Sequence, residues 1–251
     1  MVMTREEPKV GEFGIVGDTR ISPLAAQTHA VLQAAIAKND LDPDAGIYSI
    51  DGMSGKKYRY FINTLIGAVP NARYLEVGSW MGSTLCSAVH GNQVAAVAID
   101  DWSEFFGPKE EFLANVRRFT TPGAEVTFIE GDFRGVDYTK LPGPFNVYLF
   151  DGPHEAIDQF QGLSLALPCL AEQFVFIVDD WNWQRVRDGT TAAIGQCGLS
   201  ILYAAAVRTT NDNNSPPHLM PMEDFRAVRD FDWHNGYFIA VLAKHPCKQP
   251  G

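Results

Sequence analysis

Short apolar runs alternate with amphipathic stretches along most of the chain, which predicts repeated strand–helix units. The predicted strands are an apolar run that begins at Tyr74, followed by 94–99, 125–129, 145–150, 174–178, 199–207 and 237–242. Helical periodicity marks the stretches 83–88, 109–119 and 156–165. This succession indicates an α/β fold built on a doubly wound, seven-stranded, mostly parallel sheet.

The residues before the first predicted strand indicate a helical extension. Residues 1 to about 20 are polar and glycine-rich, and we expect an irregular arm. An alanine-rich helical pattern runs from Ser22 to Lys38 and begins with a Ser-Pro pair, and a second runs from Lys56 to Ile66. We therefore divide the chain into an N-terminal arm and helix, 1–55, covering the sheet edge or a ligand mouth, and a main domain, 56–251.

A long connection separates the last two predicted strands. It contains an Asn- and Pro-rich run at 211–217 and then a charged segment that reaches Asn235. A connection of this length inside a compact domain is usually functional or mobile. We predict that residues 208–235 form an inserted lid loop or substrate wall.

The strand that begins at Tyr74 leads into a glycine turn with the sequence GSWMGST. Gly78 and Gly82 would let a ligand approach the backbone, and the helix that starts at Ser83 would offer free N–H groups. The spacing G-x-x-x-G lacks the third glycine of a dinucleotide-binding turn, which disfavours a nicotinamide oxidoreductase. Glu76, two residues before Gly78, favours a ligand that carries positive charge.

Carboxylates follow the next four predicted strands, and the carboxyl ends of parallel strands share one edge of a sheet. Each acid alone could cap a helix, but together they indicate one crevice lined by Asp100, Asp132, Asp151, Asp179 and Asp180. Asp100 is placed to bind ribose hydroxyls, with Asp101 as the alternative if the strand is one residue longer. Asp132 could accept a hydrogen bond from an adenine amine, and Phe133 could pack on the ring.

The last three acids, Asp151, Asp179 and Asp180, would repel one another unless a cation neutralised them. Oxygen ligands without a His or Cys cluster favour a hard ion, Mg²⁺ or, in its place, Ca²⁺ or Mn²⁺. His154 lies three residues after Asp151 and could take a proton from a hydroxyl near neutral pH. The alternative is a histidine that only orients Asp151 or caps the next helix.

The glycine turn with Glu76 resembles the first motif of the class I S-adenosylmethionine (SAM)-dependent methyltransferases. The acids after the next two strands are similar to the adenosyl-binding motifs of that family. The resemblance covers residues 50 to 245 and implies a Rossmann-like fold with an antiparallel last strand. It also implies a cofactor site formed by Glu76, Gly78, Ser79, Gly82, Ser83, Asp100, Trp102, Asp132 and Phe133.

The three later acids resemble the metal site of the metal-dependent O-methyltransferases. In that group an acid after the fourth strand and a pair after the fifth hold Mg²⁺, which implies Asp151, Asp179 and Asp180 as ligands. The catechol type carries Asn where this chain has Asp180, and Lys where it has His154. The resemblance is therefore closer to the macrolide-sugar type, and it implies that His154 and Asp151 are catalytic.

The sequence thus predicts a SAM- and Mg²⁺-dependent O-methyltransferase acting on a hydroxyl of a small molecule, a sugar or another natural-product intermediate. Trp102, Trp181 and Trp183 could form walls of its pocket, or could be ordinary packing residues. Two alternatives stay open: a metal-independent N- or carboxyl-methyltransferase, and a catalytically silent binding module that keeps the cofactor fold.

The composition limits the classes of partner and the kinds of site that we expect for this chain. The net charge of −10 and the pI of about 5.0 argue against nucleic acid as the main partner. The four cysteines have neither zinc nor disulfide spacing, and no apolar run is long enough to span a membrane. Without a signal-peptide pattern at the N-terminus, we expect a cytoplasmic protein. A homo-oligomer is compatible with the sequence.

Overall fold

The computed structural model describes residues 9–42, 44–214 and 232–244. The strands are β1 Phe13–Gly17, β2 Arg73–Val77, β3 Val94–Asp100, β4 Ala124–Glu130, β5 Phe145–Phe150, β6 Leu170–Val178, β7 Ser200–Val207 and β8 Tyr237–Ala243. The α-helices are α1 Pro23–Ala37, α2 Lys56–Ala68, α3 Ser83–Val89, α4 Lys109–Phe119, α5 Ala156–Ala166 and α6 Gln184–Gln196. Of the predicted lid, 208–235, only 208–214 and 232–235 are among the described residues.

The strands form one sheet in the order β1-β7-β8-β6-β5-β2-β3-β4. Neighbours from β4 across to β6 pair in parallel, while β8 is antiparallel to both β6 and β7. The predicted α/β fold with an antiparallel last strand is confirmed. Chain order reverses between β2 and β5, which is where open α/β sheets form a ligand crevice at the carboxyl ends of their strands.

The sheet has one strand more than predicted, because residues 13–17 belong to it and not to an irregular arm. Strand β1 pairs antiparallel with the outer edge of β7. Its sequence, FGIVG, contains two glycines, which have low strand propensity. Pairing with β7 stabilises a segment that its own residues do not mark as a strand.

Helices cover both faces of the sheet. One layer contains α1, α2, α3 and Phe112 of α4, and the other contains α5 and α6. Burial on both faces explains why the central strands are continuous apolar runs. Helix α1 lies in the first layer beside β6 and β8, with Ala25, Leu32 and Ala35 fully buried, and thus covers a sheet face and not the ligand mouth.

Helix α6 was not predicted from the sequence. Its Val186, Ala193 and Ile194 are buried, but polar residues and two glycines interrupt the apolar pattern. Gly189 lies so close to α5 that a Cβ there would be 2.2 Å from the carbonyl oxygen of Ala156. The glycine that obscures the helical pattern therefore allows the two helices to pack.

Candidate functional site

One cavity lies along the carboxyl ends of the central strands, from the glycine turn to the later acids. It is lined by eight of the predicted site residues, Gly78, Asp100, Asp132, Phe133, Asp151, His154, Asp179 and Asp180. We call the part formed by 77–80, 99–105 and 131–134 the glycine-turn half, and the part formed by 151–154, 179–183 and 234–235 the acid half. The predicted convergence of strand-end carboxylates thus occurs in the structure.

Five predicted cofactor residues, Glu76, Ser79, Gly82, Ser83 and Trp102, do not line the cavity. Glu76 is fully buried and accepts a hydrogen bond from the Tyr74 hydroxyl. Burial raises the pKa of Glu76 to about 7, although the hydrogen bond from Tyr74 has the opposite effect. Trp102 is also buried, and its ring packs against Phe112 and Phe128.

Asp100 holds the glycine turn in place. Its Oδ2 accepts the backbone N–H groups of Ser79, at 2.7 Å, and Trp80, at 2.8 Å. Its Oδ1 accepts the N–H of Trp102, at 2.7 Å. Asp101, the alternative ribose ligand, lines the same cavity and accepts hydrogen bonds from the backbone N–H and the hydroxyl of Ser103.

Gly78 joins the two halves of the cavity. Its φ is +83°, and a Cβ at this position would lie 1.9 Å from the carbonyl oxygen of Asp151. Both the left-handed backbone and the close approach require glycine. The turn after β2 therefore packs directly on the start of the acid half after β5.

At the far end of the glycine-turn half, Asp132 and Phe133 are accompanied by Arg134, which sequence reasoning did not single out. The Arg134 guanidinium pairs with Asp132 at 3.0 Å and also with Asp158. It lies 4.5 Å from the centroid of the Phe133 ring. The charge of Asp132 is thus balanced by the chain itself.

The acid half places three carboxylates together, two of them buried. Burial and the charge of Asp179 raise the pKa of Asp151 well above its usual range. Burial also raises the pKa of Asp179. Burial is the largest single influence on Asp180 and would raise its pKa, but His154, His234 and Asn235 together outweigh burial and lower the pKa of Asp180.

His154 lies between two of these acids. Its Nε2 is 2.6 Å from Asp180 Oδ2 and 3.9 Å from Asp151 Oδ1, yet no hydrogen bond of acceptable geometry forms there among the described residues. Burial opposes charge on the ring, but the carboxylates outweigh it and raise the pKa of His154 to about 11. The neighbouring carboxylates thus favour the imidazolium form of His154.

His234 enters the acid half from the far end of the chain. The possible metal ligands form two compact groups, each with atoms within 4.8 Å of one another: Asp151, His154 and Asp180, and Asp179, Asp180 and His234. Asp151 and Asp179, predicted as ligands of one ion, fall into different groups. His234 could have been identified as a site residue only by knowing that the fold places residues 232–236 beside the end of β6.

Two further elements shape the cavity wall. Of the three tryptophans considered from the sequence, only Trp183 lines it, with its ring edge-on to His154, while Trp181 stacks on Phe238. Met53 also lines it, and its loop is held by the fully buried Arg59. The guanidinium donates to the backbone carbonyls of four loop residues, Ile47, Ile50, Gly52 and Ser54.

Comparison with known families agrees with this geometry. Residues 75–181, which run from β2 to the acid pair, match a family model described as a methyltransferase domain. No curated protein matches the chain. The prediction of a SAM-dependent methyltransferase is confirmed at the level of this domain.

Among the described residues, every helix is too short or too polar to cross a lipid bilayer.

Solved structures show the same fold at low sequence identity. Cofactor-bound Rv0187 from MTB is 17% identical with a TM-score of 0.50, and the alignment covers 90% of this chain and 91% of that one. A protein from Corynebacterium glutamicum is 12% identical with a TM-score of 0.51, covering 88% and 92%. A Bacillus cereus O-methyltransferase in complex with SAH is 15% identical, covering 86% and 90%, with a TM-score of 0.45.

Proposed function

We propose that this chain, a SAM-dependent methyltransferase of the class I fold, methylates a hydroxyl oxygen of a small molecule with the help of a divalent cation. The observation that supports this most strongly is the single cavity that joins the glycine turn to the buried acids and His154. A methyl donor in one half would face an acceptor in the other. The acceptor we expect is a sugar or another natural-product intermediate.

The glycine-turn half fits the cofactor. Gly78 and Phe133 both line this half, and Phe133 offers an apolar surface for a ring. Because Asp100 is bonded to three backbone N–H groups, we assign the ribose hydroxyls to Asp101. Glu76 would act from beneath the turn, through its charge and not through contact.

The acid half fits a cation. Two ring nitrogens, His154 Nε2 and His234 Nδ1, are buried beside carboxylates without a hydrogen-bond partner among the described residues. Asp151, Asp179 and Asp180 remain our proposed ligands for Mg²⁺ or another hard ion. When bound, SAM supplies the methyl group, and the cation neutralises the carboxylates and lowers the pKa of the acceptor hydroxyl.

The chain itself would supply a base and would align the acceptor oxygen with the methyl group. His154 can accept the hydroxyl proton at Nε2 only as a neutral ring, and neutralising the neighbouring carboxylates would favour that form because they raise its pKa. The walls of the cavity then hold the acceptor oxygen in line with the methyl group. We assign the catalytic roles to His154, as the base, and to Asp151, whose Oδ1 lies 3.9 Å from His154 Nε2.

Calorimetric titration of S-adenosylhomocysteine, with Mg²⁺ and with EDTA, tests the proposal together with methyl transfer to a panel of sugars and phenols. We expect one-to-one binding, and transfer that stops in EDTA. Asp179→Asn should keep the binding and lose the transfer. A folded sample that does not bind S-adenosylhomocysteine would contradict the cofactor assignment. Transfer that EDTA does not affect would favour the metal-independent alternative.

A further inference from the structure

His234 faces the acid pair, and its Nδ1 has no hydrogen-bond partner among the described residues. Its Nδ1 lies 3.8 Å from Asp179 Oδ1, and the side chain is only 12% exposed. The ring nitrogen is buried and has no hydrogen-bond partner among residues 9–42, 44–214 and 232–244. An uncompensated buried nitrogen beside a carboxylate is costly unless a further group completes the arrangement.

The backbone of residues 232–236 is fixed by its neighbours and not by the His234 ring. Thr209 Oγ1 donates to the His234 carbonyl at 2.9 Å, and the N–H of Asn182 donates to the Asn235 carbonyl at 3.0 Å. His234 itself has a φ of +38°, a left-handed conformation that few residues other than glycine adopt. Such strain is typical of functional sites, where the surrounding structure maintains it.

The next residue of the same segment orients the second acid of the pair. Asn235 Nδ2 donates to Asp180 Oδ1, and Asn182 Nδ2 donates to Asn235 Oδ1 at 2.8 Å. Asp180 is thus held in one orientation while His234 faces Asp179. Residues 234 and 235 together shape the pocket formed by the acid pair.

A second unsatisfied group lies under the same acids. The Tyr237 hydroxyl is fully buried, has no partner in the described part of the chain, and belongs to a ring stacked 3.9 Å from that of Tyr58. Burial and the charge of Asp179 raise the pKa of Tyr237 well above its usual range. The Tyr237 hydroxyl and His234 Nδ1 thus both lie near Asp179 without a hydrogen-bond partner among the described residues.

We propose that Asp179, Asp180 and His234 form the cation site, with an imidazole nitrogen among its ligands, and that Asp151 and His154 act on the acceptor side. This inference rests on the cation of the proposed function and changes its ligands and its identity. Imidazole suits Fe²⁺, Co²⁺, Ni²⁺ and Zn²⁺, whereas Mg²⁺ prefers oxygen ligands throughout. The site therefore selects a borderline ion over Mg²⁺.

Calorimetry with Co²⁺ and Mg²⁺ on the full chain tests the inference, with the Co²⁺ visible spectrum as a second readout. The key variant is His234→Asn, because Asn tolerates the left-handed backbone and replaces the nitrogen ligand with an amide oxygen. We expect Co²⁺ affinity to fall at least about tenfold and Mg²⁺ affinity to stay within about threefold. The Co²⁺ absorption should shift as the nitrogen ligand is lost. His90→Ala, outside the cavity, should change neither affinity.

Circular dichroism must show that His234→Asn is folded, and His234→Gly, which suits the same φ, must reproduce the loss of Co²⁺ affinity. If both variants bind Co²⁺ like the wild type while Asp179→Asn does not, the site consists of carboxylates alone. The inference is then wrong, while the proposed function stands. If the wild type binds neither ion, both this inference and the cation of the proposed function are wrong.

Discussion

The two halves of the cavity treat their carboxylates in opposite ways. In the glycine-turn half, Asp100 accepts hydrogen bonds from three backbone N–H groups, and Asp132 forms an ion pair with Arg134. In the acid half, Asp180 accepts a hydrogen bond from Asn235 and Asp179 accepts one from the Asp180 N–H, while the neighbouring His154 Nε2 and His234 Nδ1 have no hydrogen bond of acceptable geometry among the described residues.

The difference shows which half needs an ion. The first half is complete without one, since its carboxylates already support the backbone against which a cofactor would lie. The second half concentrates negative charge in a buried place, which is unfavourable unless a cation enters. One edge of one sheet thus combines carboxylates held by backbone N–H groups and by Arg134 with a cluster of three carboxylates that we propose binds a cation.

Gly78→Ala should have the largest effect, because it disturbs both halves at once. The new Cβ would clash with the Asp151 carbonyl and would require a left-handed alanine. We expect a loss of at least about 4 kcal/mol in the free energy of unfolding. Gly91→Ala is the matched control: its φ is +75° with no atom within 4 Å of the new Cβ, and it should cost only about 1–2 kcal/mol. Equal losses in urea unfolding would show that the contact is not tight.

Asp180→Asn should disable the acid half alone. It removes the charge 2.6 Å from His154 Nε2 and a ligand shared by both possible metal groups. We expect turnover to fall about 1000-fold, while S-adenosylhomocysteine affinity stays within about threefold. Asp188→Asn, at an exposed position of α6, should change neither value. A parallel loss of cofactor affinity would mean that the halves are not separable.

Glu76→Gln tests the buried acid beneath the glycine turn. Because the folded-state pKa of Glu76 is raised to about 7, its contribution to stability is present below the unfolded pKa and is lost as pH rises through about 7. Relative to wild type, the variant should gain about 3 kcal/mol between about pH 4 and pH 8. The exposed Glu125→Gln should show no such gain. A flat difference across this range would mean that Glu76 stays charged in the folded protein.

Asp100→Asn should have the smallest effect and should affect the glycine-turn half alone. An amide cannot accept all three N–H groups, so we expect a loss of about 1–2 kcal/mol in stability. The affinity for S-adenosylhomocysteine should fall about tenfold, while cation affinity should not change. Asp137→Asn, at an exposed acid that also accepts a backbone N–H, serves as the control. A change in cation affinity would contradict the separation of the two halves.

The sequence predicted the glycine-turn half and the strand-end acids because these are local patterns. A strand, a turn and a helix start are consecutive in the chain, and the parallel sheet brings the strand ends to one edge. Strand β5 and helix α4 have the predicted bounds. The sequence could not show that Glu76 is fully buried and does not line the cavity, because burial depends on which layer covers each face.

His234, Arg134 and β1 were missed for a different reason. Each acts through a residue distant in sequence: His234 faces Asp179, Arg134 pairs with Asp158, and β1 pairs with β7. A lone histidine or arginine in a polar stretch carries no periodicity to mark it. Helix α6 was missed because Gly189 interrupts its helical pattern in the sequence, whereas in the structure this glycine allows the helix to pack against α5.

Strand β1 has a consequence for the order of events during synthesis. It can pair only with β7, and the ring of Phe13 packs edge-on against Trp233 at 4.8 Å, next to His234. A ribosome releases the segment around residue 13 long before residues 200–207 and 233 emerge. Strand β1 therefore pairs late, and the acid half of the cavity, which includes His234 and Asn235, can form only after almost all of these 251 residues have been translated.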